Sequence, residues 1–77
     1  MKATAKKQLK TWFAALEEMQ TAAETLAKEM QETIDERSDK WRETEAGELA
    51  AEEQNNVQSF ADYLENAKDQ IDEYVSE

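Results

Sequence analysis

The sequence has no proline, no cysteine and no histidine, and its only glycine is Gly47. Each absence closes off a class of protein. Without cysteine there is no disulfide, and without cysteine or histidine there is no zinc site of the usual kind. The same gaps exclude Ser-His-Asp and Cys-His nucleophiles and the Glu-x-x-His pairs of di-iron bundles. One glycine cannot build a phosphate-cradling loop, and no Asp-x-Asp-x-Asp-Gly stretch is present for calcium. Long apolar runs are missing too. The longest early one, "WFAAL" at residues 12–16, is followed at once by Glu17 and Glu18. That is too short for a signal peptide core or for the ~20 residues of a membrane span. These gaps predict a non-enzyme with no cofactor and no metal, working in the cytoplasm. The absence of cysteine suits a reducing compartment.

What is present favours helix. Ala, Glu, Lys, Gln and Leu dominate, and no proline interrupts them. Leu9, Trp12, Leu16, Met19, Ala23, Leu26, Met30 and Thr33 alternate in steps of three and four, a heptad series. Phe13, Ile34 and Trp41 sit beside that series and widen it. A second series runs through Val57, Phe60, Leu64, Ala67, Ile71 and Tyr74, with Ala61 and Val75 alongside. The expectation is an all-α, antiparallel two-helix hairpin resembling a coiled coil. It is a single domain over residues 1–77, with helix 1 at about 3–42, a turn at about 43–45 and helix 2 at about 45–76.

Two residues compete to cap the second helix, Ser38 and Thr44. A reversal between Glu43 and Thr44 sets Met30 opposite Val57, Leu26 opposite Ala61, Ala23 opposite Leu64 and Leu16 opposite Ile71. Large then faces small at several layers, as close packing requires, so Thr44 is preferred. Gly47 falls in the first turn of helix 2, where a missing side chain permits close approach. Arg37 and Glu53 share a layer and are expected to meet as a polar contact that sets register. The apolar stripe is too wide for one partner helix, and seventy-seven residues make a marginal core. A homodimer forming a four-helix bundle would cover the excess.

Charge is segregated along the chain. Nineteen acids face nine bases, for a net charge of −10. Lys2, Lys6, Lys7 and Lys10 open the chain with no acid among the first ten residues. Residues 43–77 carry eleven acids and only Lys68. Antiparallel helices set the opening lysines beside Asp69, Asp72, Glu73 and Glu77, each pair contributing ~0.2–1 kcal/mol. The balance argues against direct nucleic-acid binding, which needs clustered Lys and Arg, and points to a protein partner with a basic surface.

On helix 2, Glu48, Glu52, Asn55, Ser59, Asp62, Asn66, Asp69 and Glu73 recur at helical spacing opposite the apolar seam. Unrelieved acids at that spacing repel one another slightly, so a partner is the natural reason to keep them. The candidate partner-binding residues are Glu43, Glu45, Glu48, Glu52, Asp62, Glu65, Asp69, Asp72 and Glu73. Residues 43–77 as helix span roughly 52 Å, one acid per ~5 Å, against ~3.4 Å per phosphate along one DNA strand. A rigid acidic helix of that kind fits a basic nucleic-acid channel. Two rival readings remain: a coiled-coil scaffold in which the acids only solubilise, and a membrane-surface element using residues 1–16 with Trp12 and Phe13.

The segment "DERSDKWRETEAGE" at residues 35–48 resembles a stretch found in small acidic phage and prophage proteins. There Arg-Ser-x-x-Trp is followed by Ser or Thr, Glu, a variable residue, Gly and Glu. The matching positions are Arg37, Ser38, Trp41, Thr44, Glu45, Gly47 and Glu48. The match covers about a fifth of the chain, and Leu49-Ala50-Ala51 stands where an aromatic residue is expected. The resemblance implies a two-helix hairpin from a phage or mobile element, of the kind that inhibits host defence nucleases, anti-CRISPR proteins being the best-known group. Secreted helical hairpins with a Trp-x-Gly turn fit less well, because Gly47 comes too late after Trp41.

Overall fold

A computed structural model describes residues 1–76. The chain is all-α: α1 spans Ala3–Asp35, α2 spans Asp39–Arg42 and α3 spans Glu45–Ser76. α3 runs back along α1, giving a rod of 57 × 14 × 13 Å. Three helices therefore replace the expected two. Helix 1 stops at Asp35 instead of reaching residue 42, and the reversal is made in two steps, each with its own cap.

Both candidate caps are used. Ser38, with extended backbone, accepts a hydrogen bond from the Trp41 N–H (3.2 Å) and starts α2. Thr44 accepts one from the Gly47 N–H (3.2 Å) and starts α3, while its own hydroxyl donates to the Trp41 carbonyl. Each cap satisfies an amide left open at a helix start. The carbonyls at the end of α1 find an unforeseen partner in Arg42. Its guanidinium donates to the Ile34, Asp35 and Arg37 carbonyls at 3.3, 3.2 and 3.1 Å, and pairs with Asp39 at 3.2 Å. A planar fork with several donors suits that task, and one side chain ties α2 to the end of α1.

Gly47 is buried against this reversal. A Cβ there would lie 2.4 Å from the Trp41 carbonyl oxygen and 2.6 Å from the Arg42 Cα. The backbones of α2 and α3 touch at this point, so the residue has to be glycine for reasons of contact. Its φ is not positive, and conformational freedom plays no part.

The seam between α1 and α3 keeps every other position of the one expected and replaces the rest by their next neighbours in the chain. On α1 the residues turned inward are Leu9, Phe13, Leu16, Gln20, Ala23, Ala27, Met30 and Ile34, all buried or half-buried. Trp12, Met19, Leu26 and Thr33 are exposed. On α3 the inward set is Gly47, Ala50, Gln54, Val57, Ala61, Leu64, Lys68, Ile71 and Val75, and Phe60 and Tyr74 are exposed. The physical reason is size. Ala27 and Ala61 are each only 1% exposed, and small side chains at the contact let two helix axes approach closely. With Leu26 and Phe60 inside, the helices would stand further apart. Ala23 does meet Leu64 as expected, in a cluster with Ala61 and Leu16, whereas Leu26 does not enter the core opposite Ala61.

Polar contacts pin the register. Gln54 donates to the Ala27 carbonyl (3.3 Å). Lys68, the lone base of α3, donates to Gln20 (3.0 Å), lies 4.0 Å from Glu17 and sits 5.2 Å over the Phe13 ring. Three Lys68 interactions with α1 on one half-buried side chain make a directional clamp. The expected Arg37–Glu53 ion pair does not form. Arg37 stacks on Trp41 instead, 4.8 Å from the ring centroid, which keeps its charge near solvent and covers an aromatic face.

Candidate functional site

About 100° of rotation separates successive residues on a helix, so each inward residue has one neighbour on either flank of the rod. On α3 the four buried residues Gly47, Ala61, Leu64 and Ile71 are each followed by an acid: Glu48, Asp62, Glu65 and Asp72. Asp69 follows the half-buried Lys68 in the same way. These five carboxylates therefore share one flank of the rod. The next residue round α1 contributes Glu24, Lys28 and Asp35 after the buried Ala23, Ala27 and Ile34.

The other predicted residues sit elsewhere. Glu52 and Glu73 lie further round, on the outward back of α3. Glu43 is the C-cap of α2, and Glu45 opens α3, so both stand at the end of the rod. All nine are exposed. The single stripe expected from the sequence is thus a flank, a back edge and an end.

Among the described residues the ion pairs are Arg42–Asp39 and Lys68–Glu17, and neither includes any of the nine. Asp62 accepts a hydrogen bond from Gln58 at 3.3 Å, one turn away on the same helix. The expected pairing of Lys2, Lys6, Lys7 and Lys10 with Asp69, Asp72 and Glu73 is not found, and Glu77 lies outside the described residues. Lys6 is half-buried and takes the inward course that Leu9 and Phe13 continue, which turns it away from the acidic flank. Exposed pairs between long side chains gain little energy, so nothing forces the others together. None of the nine acids is therefore held in a direct ion pair among the described residues, with Lys10 and Lys28 as the bases on the same flank. No group of three or more Asp or Glu is placed to hold a metal ion among the described residues. No described helix is long and apolar enough to cross a membrane.

The opposite flank has a different character. Residues preceding the inward set on α1 include Trp12, Ala15, Met19, Ala22 and Leu26; on α3 they include Leu49, Phe60, Tyr63 and Tyr74. Trp12 is 55% exposed and Tyr63 71%. Between the two helices this flank opens into a groove of about 420 Å³ lined by Met19, Ala22, Ala23, Leu26, Asn56, Val57 and Phe60. A second groove of about 240 Å³ lies nearer the reversal, between Met30, Thr33, Ile34, Arg37, Trp41, Ala50 and Glu53. The rod is thus two-sided, acidic on one flank and apolar on the other. The sequence reading missed this partition because it assigned Trp12, Met19, Leu26, Phe60 and Tyr74 to the seam. The acid that follows each of the four buried α3 residues marks the partition only once the buried set is known. Comparison with protein-family models, with curated proteins and with solved structures gives no match for this chain.

Proposed function

We propose that the chain is a small phage or mobile-element protein that inhibits a nucleic-acid-handling host defence complex by occupying its basic surface. It acts by binding, not by catalysis. The observation that carries this reading is the acidic flank: Glu48, Asp62, Glu65, Asp69 and Asp72 are exposed, aligned, and without an ion pair among the described residues. They lie on one side of a rod 57 Å long. A stiff line of fixed carboxylates offers a basic channel the charge pattern of a nucleic-acid backbone, and it steers association electrostatically. Glu43, Glu45, Glu52 and Glu73 extend the acidic surface around the end and back. The resemblance of residues 35–48 to small acidic phage proteins supplies the setting. The working form is the antiparallel hairpin of α1 and α3 paired with a second copy so that the four long helices make a bundle, inside the host cytoplasm.

The test is displacement of labelled DNA from purified CRISPR effector complexes. The chain is expected to displace DNA in at least one, with an apparent affinity that falls steeply between ~50 and 200 mM salt. A second reading, a structural scaffold, is favoured by the apolar flank. Asp and Glu to Gln changes at positions 62, 65, 69 and 72 separate the two. They abolish displacement if the acids bind the partner, and leave assembly untouched if the chain is only a scaffold.

A further inference from the structure

Folded area gives the first clue. The chain exposes 5904 Å², whereas a compact monomer of 8.9 kDa is expected to expose about 4,800 Å². The difference, roughly 1,100 Å², exceeds the ~800 Å² that each partner contributes to a standard interface. The apolar flank is where such an area is available. Trp12, Met19, Leu26, Phe60, Tyr63 and Tyr74 are each 44–71% exposed. At roughly 100 Å² apiece they offer about 600 Å² before the alanines between them are counted. A patch of that size on a monomer marks an interaction site.

We infer that this flank receives a second copy of the same chain, with the two rods antiparallel and the two-fold axis crossing the mid-rod groove near Ala22 and Phe60. Charge selects the occupant. The acidic flank faces the other way, so joining two chains of net charge −10 through their apolar flanks keeps the carboxylates on the outer surfaces. An anionic membrane surface would be repelled by the same charge.

Charge also selects the direction. Within the apolar flank the charged positions are Glu29 and Glu53, each one residue before a half-buried seam position, toward the reversal end of the rod. Parallel rods would set each α1 against the partner's α3 at the same height, so Glu29 would meet the partner's Glu53 twice in an apolar contact. Like charges there cost free energy. Antiparallel rods set α1 against α1 and α3 against α3. Glu29 then meets the level of the partner's Ala15, and Glu53 that of the partner's Ala67. The same symmetry matches large to small. Met19 faces the partner's Leu26 across the axis. Trp12 reaches the height of the partner's Thr33, which lines the 240 Å³ groove.

This arrangement specifies the homodimer proposed above and is independent of what the acidic flank binds. The test is sedimentation equilibrium of the full chain at ~10–100 μM, with helicity followed by circular dichroism. The wild type is expected to give the mass of two chains. Leu26→Glu, at a position 48% exposed within the monomer, is expected to give one chain with helicity kept. Combining it with Met19→Lys sets opposite charges across the antiparallel interface and is expected to restore the two-chain mass. A one-chain wild type overturns the dimer and leaves the acidic-flank reading standing. A Leu26→Glu variant that stays two-chain keeps a dimer but overturns this face, and failure of the double variant to recover overturns the antiparallel register. Should Leu26→Glu lose helicity, disulfide formation decides. Ala22→Cys, near the axis, is expected to form linked dimers on mild oxidation, and Ser59→Cys, on the outward back, is not; the reverse pattern overturns the proposal.

Discussion

Gly47→Ala lowers the melting temperature by about 8–16 °C, measured by thermal circular dichroism at fixed protein concentration. Two effects of opposite sign meet at this residue. Within a helix, alanine is favoured over glycine by ~1 kcal/mol, and Gly47 is in the first full turn of α3. Propensity alone thus predicts a more stable variant. Contact predicts the reverse. The added Cβ would stand 2.4 Å from the Trp41 carbonyl oxygen and 2.6 and 2.8 Å from the Arg42 Cα and carbonyl carbon. These are backbone atoms, held by the Arg42 guanidinium and by the two caps, so no side chain can swing away. Overpacking of this kind costs ~1–3 kcal/mol and occasionally more, and here it must also strain the reversal. The net loss is about 2 kcal/mol, with each kcal/mol moving the midpoint by ~4–8 °C in a domain of this size. An unchanged or raised midpoint would show that α2 and α3 are not in backbone contact.

Leu64→Glu leaves the chain largely unfolded, whereas Leu26→Glu leaves its helicity intact. The two leucines have equal status in a heptad reading of the sequence, and both fall on the expected seam. The structure separates them. Leu64 is 7% exposed and packs with Ala23 and Ala61; Leu26 is 48% exposed on the apolar flank. Removing a buried leucine costs ~2–5 kcal/mol, and a carboxylate in its place adds the penalty of an unpaired buried charge. Half of the buried hydrophobic residues are alanines: Ala23, Ala27 and Ala61, beside Ile34, Leu64 and Ile71. A core that slight has no margin to absorb the loss. Far-ultraviolet circular dichroism at 25 °C distinguishes the pair. Equal loss of helicity in both variants would return Leu26 to the seam.

That contrast shows where the sequence was legible. Helical class followed from composition and the absence of proline, and the two long apolar series from their three-four spacing. The close approach at Gly47 and the capping role of Thr44 followed from residue chemistry. Which edge of a wide apolar stripe turns inward did not follow. Leu9, Leu16, Ala23 and Met30 belong equally to a seam through Trp12, Met19 and Leu26 and to one through Phe13, Gln20 and Ala27. Periodicity weighs the first higher because it counts apolar residues; packing selects the second because Ala27 and Ala61 let the helices close. The break after Asp35 was readable only as an alternative, through Ser38 as a cap competing with Thr44, and that both caps act together was not. The break depends on Arg42 reaching back over the α1 carbonyls, a tertiary contact. The acids were legible as exposed charge. Their division between flank, back and end waited on the seam, because replacing every other seam position by its next neighbour turns each helix by ~50°, half the ~100° step between residues.

The central claim is that the acidic flank, and not the apolar one, engages the partner. The most direct measurement is titration of a DNA-loaded effector complex with the wild type and with a variant carrying Asp62→Lys, Glu65→Lys, Asp69→Lys and Asp72→Lys. All four positions are exposed, and none of them is in an ion pair among the described residues, so helicity is expected to be equal in the two proteins. The account predicts that the wild type releases the DNA and that the reversed variant does not at a hundredfold higher concentration. Release by both proteins at the same concentration would contradict it.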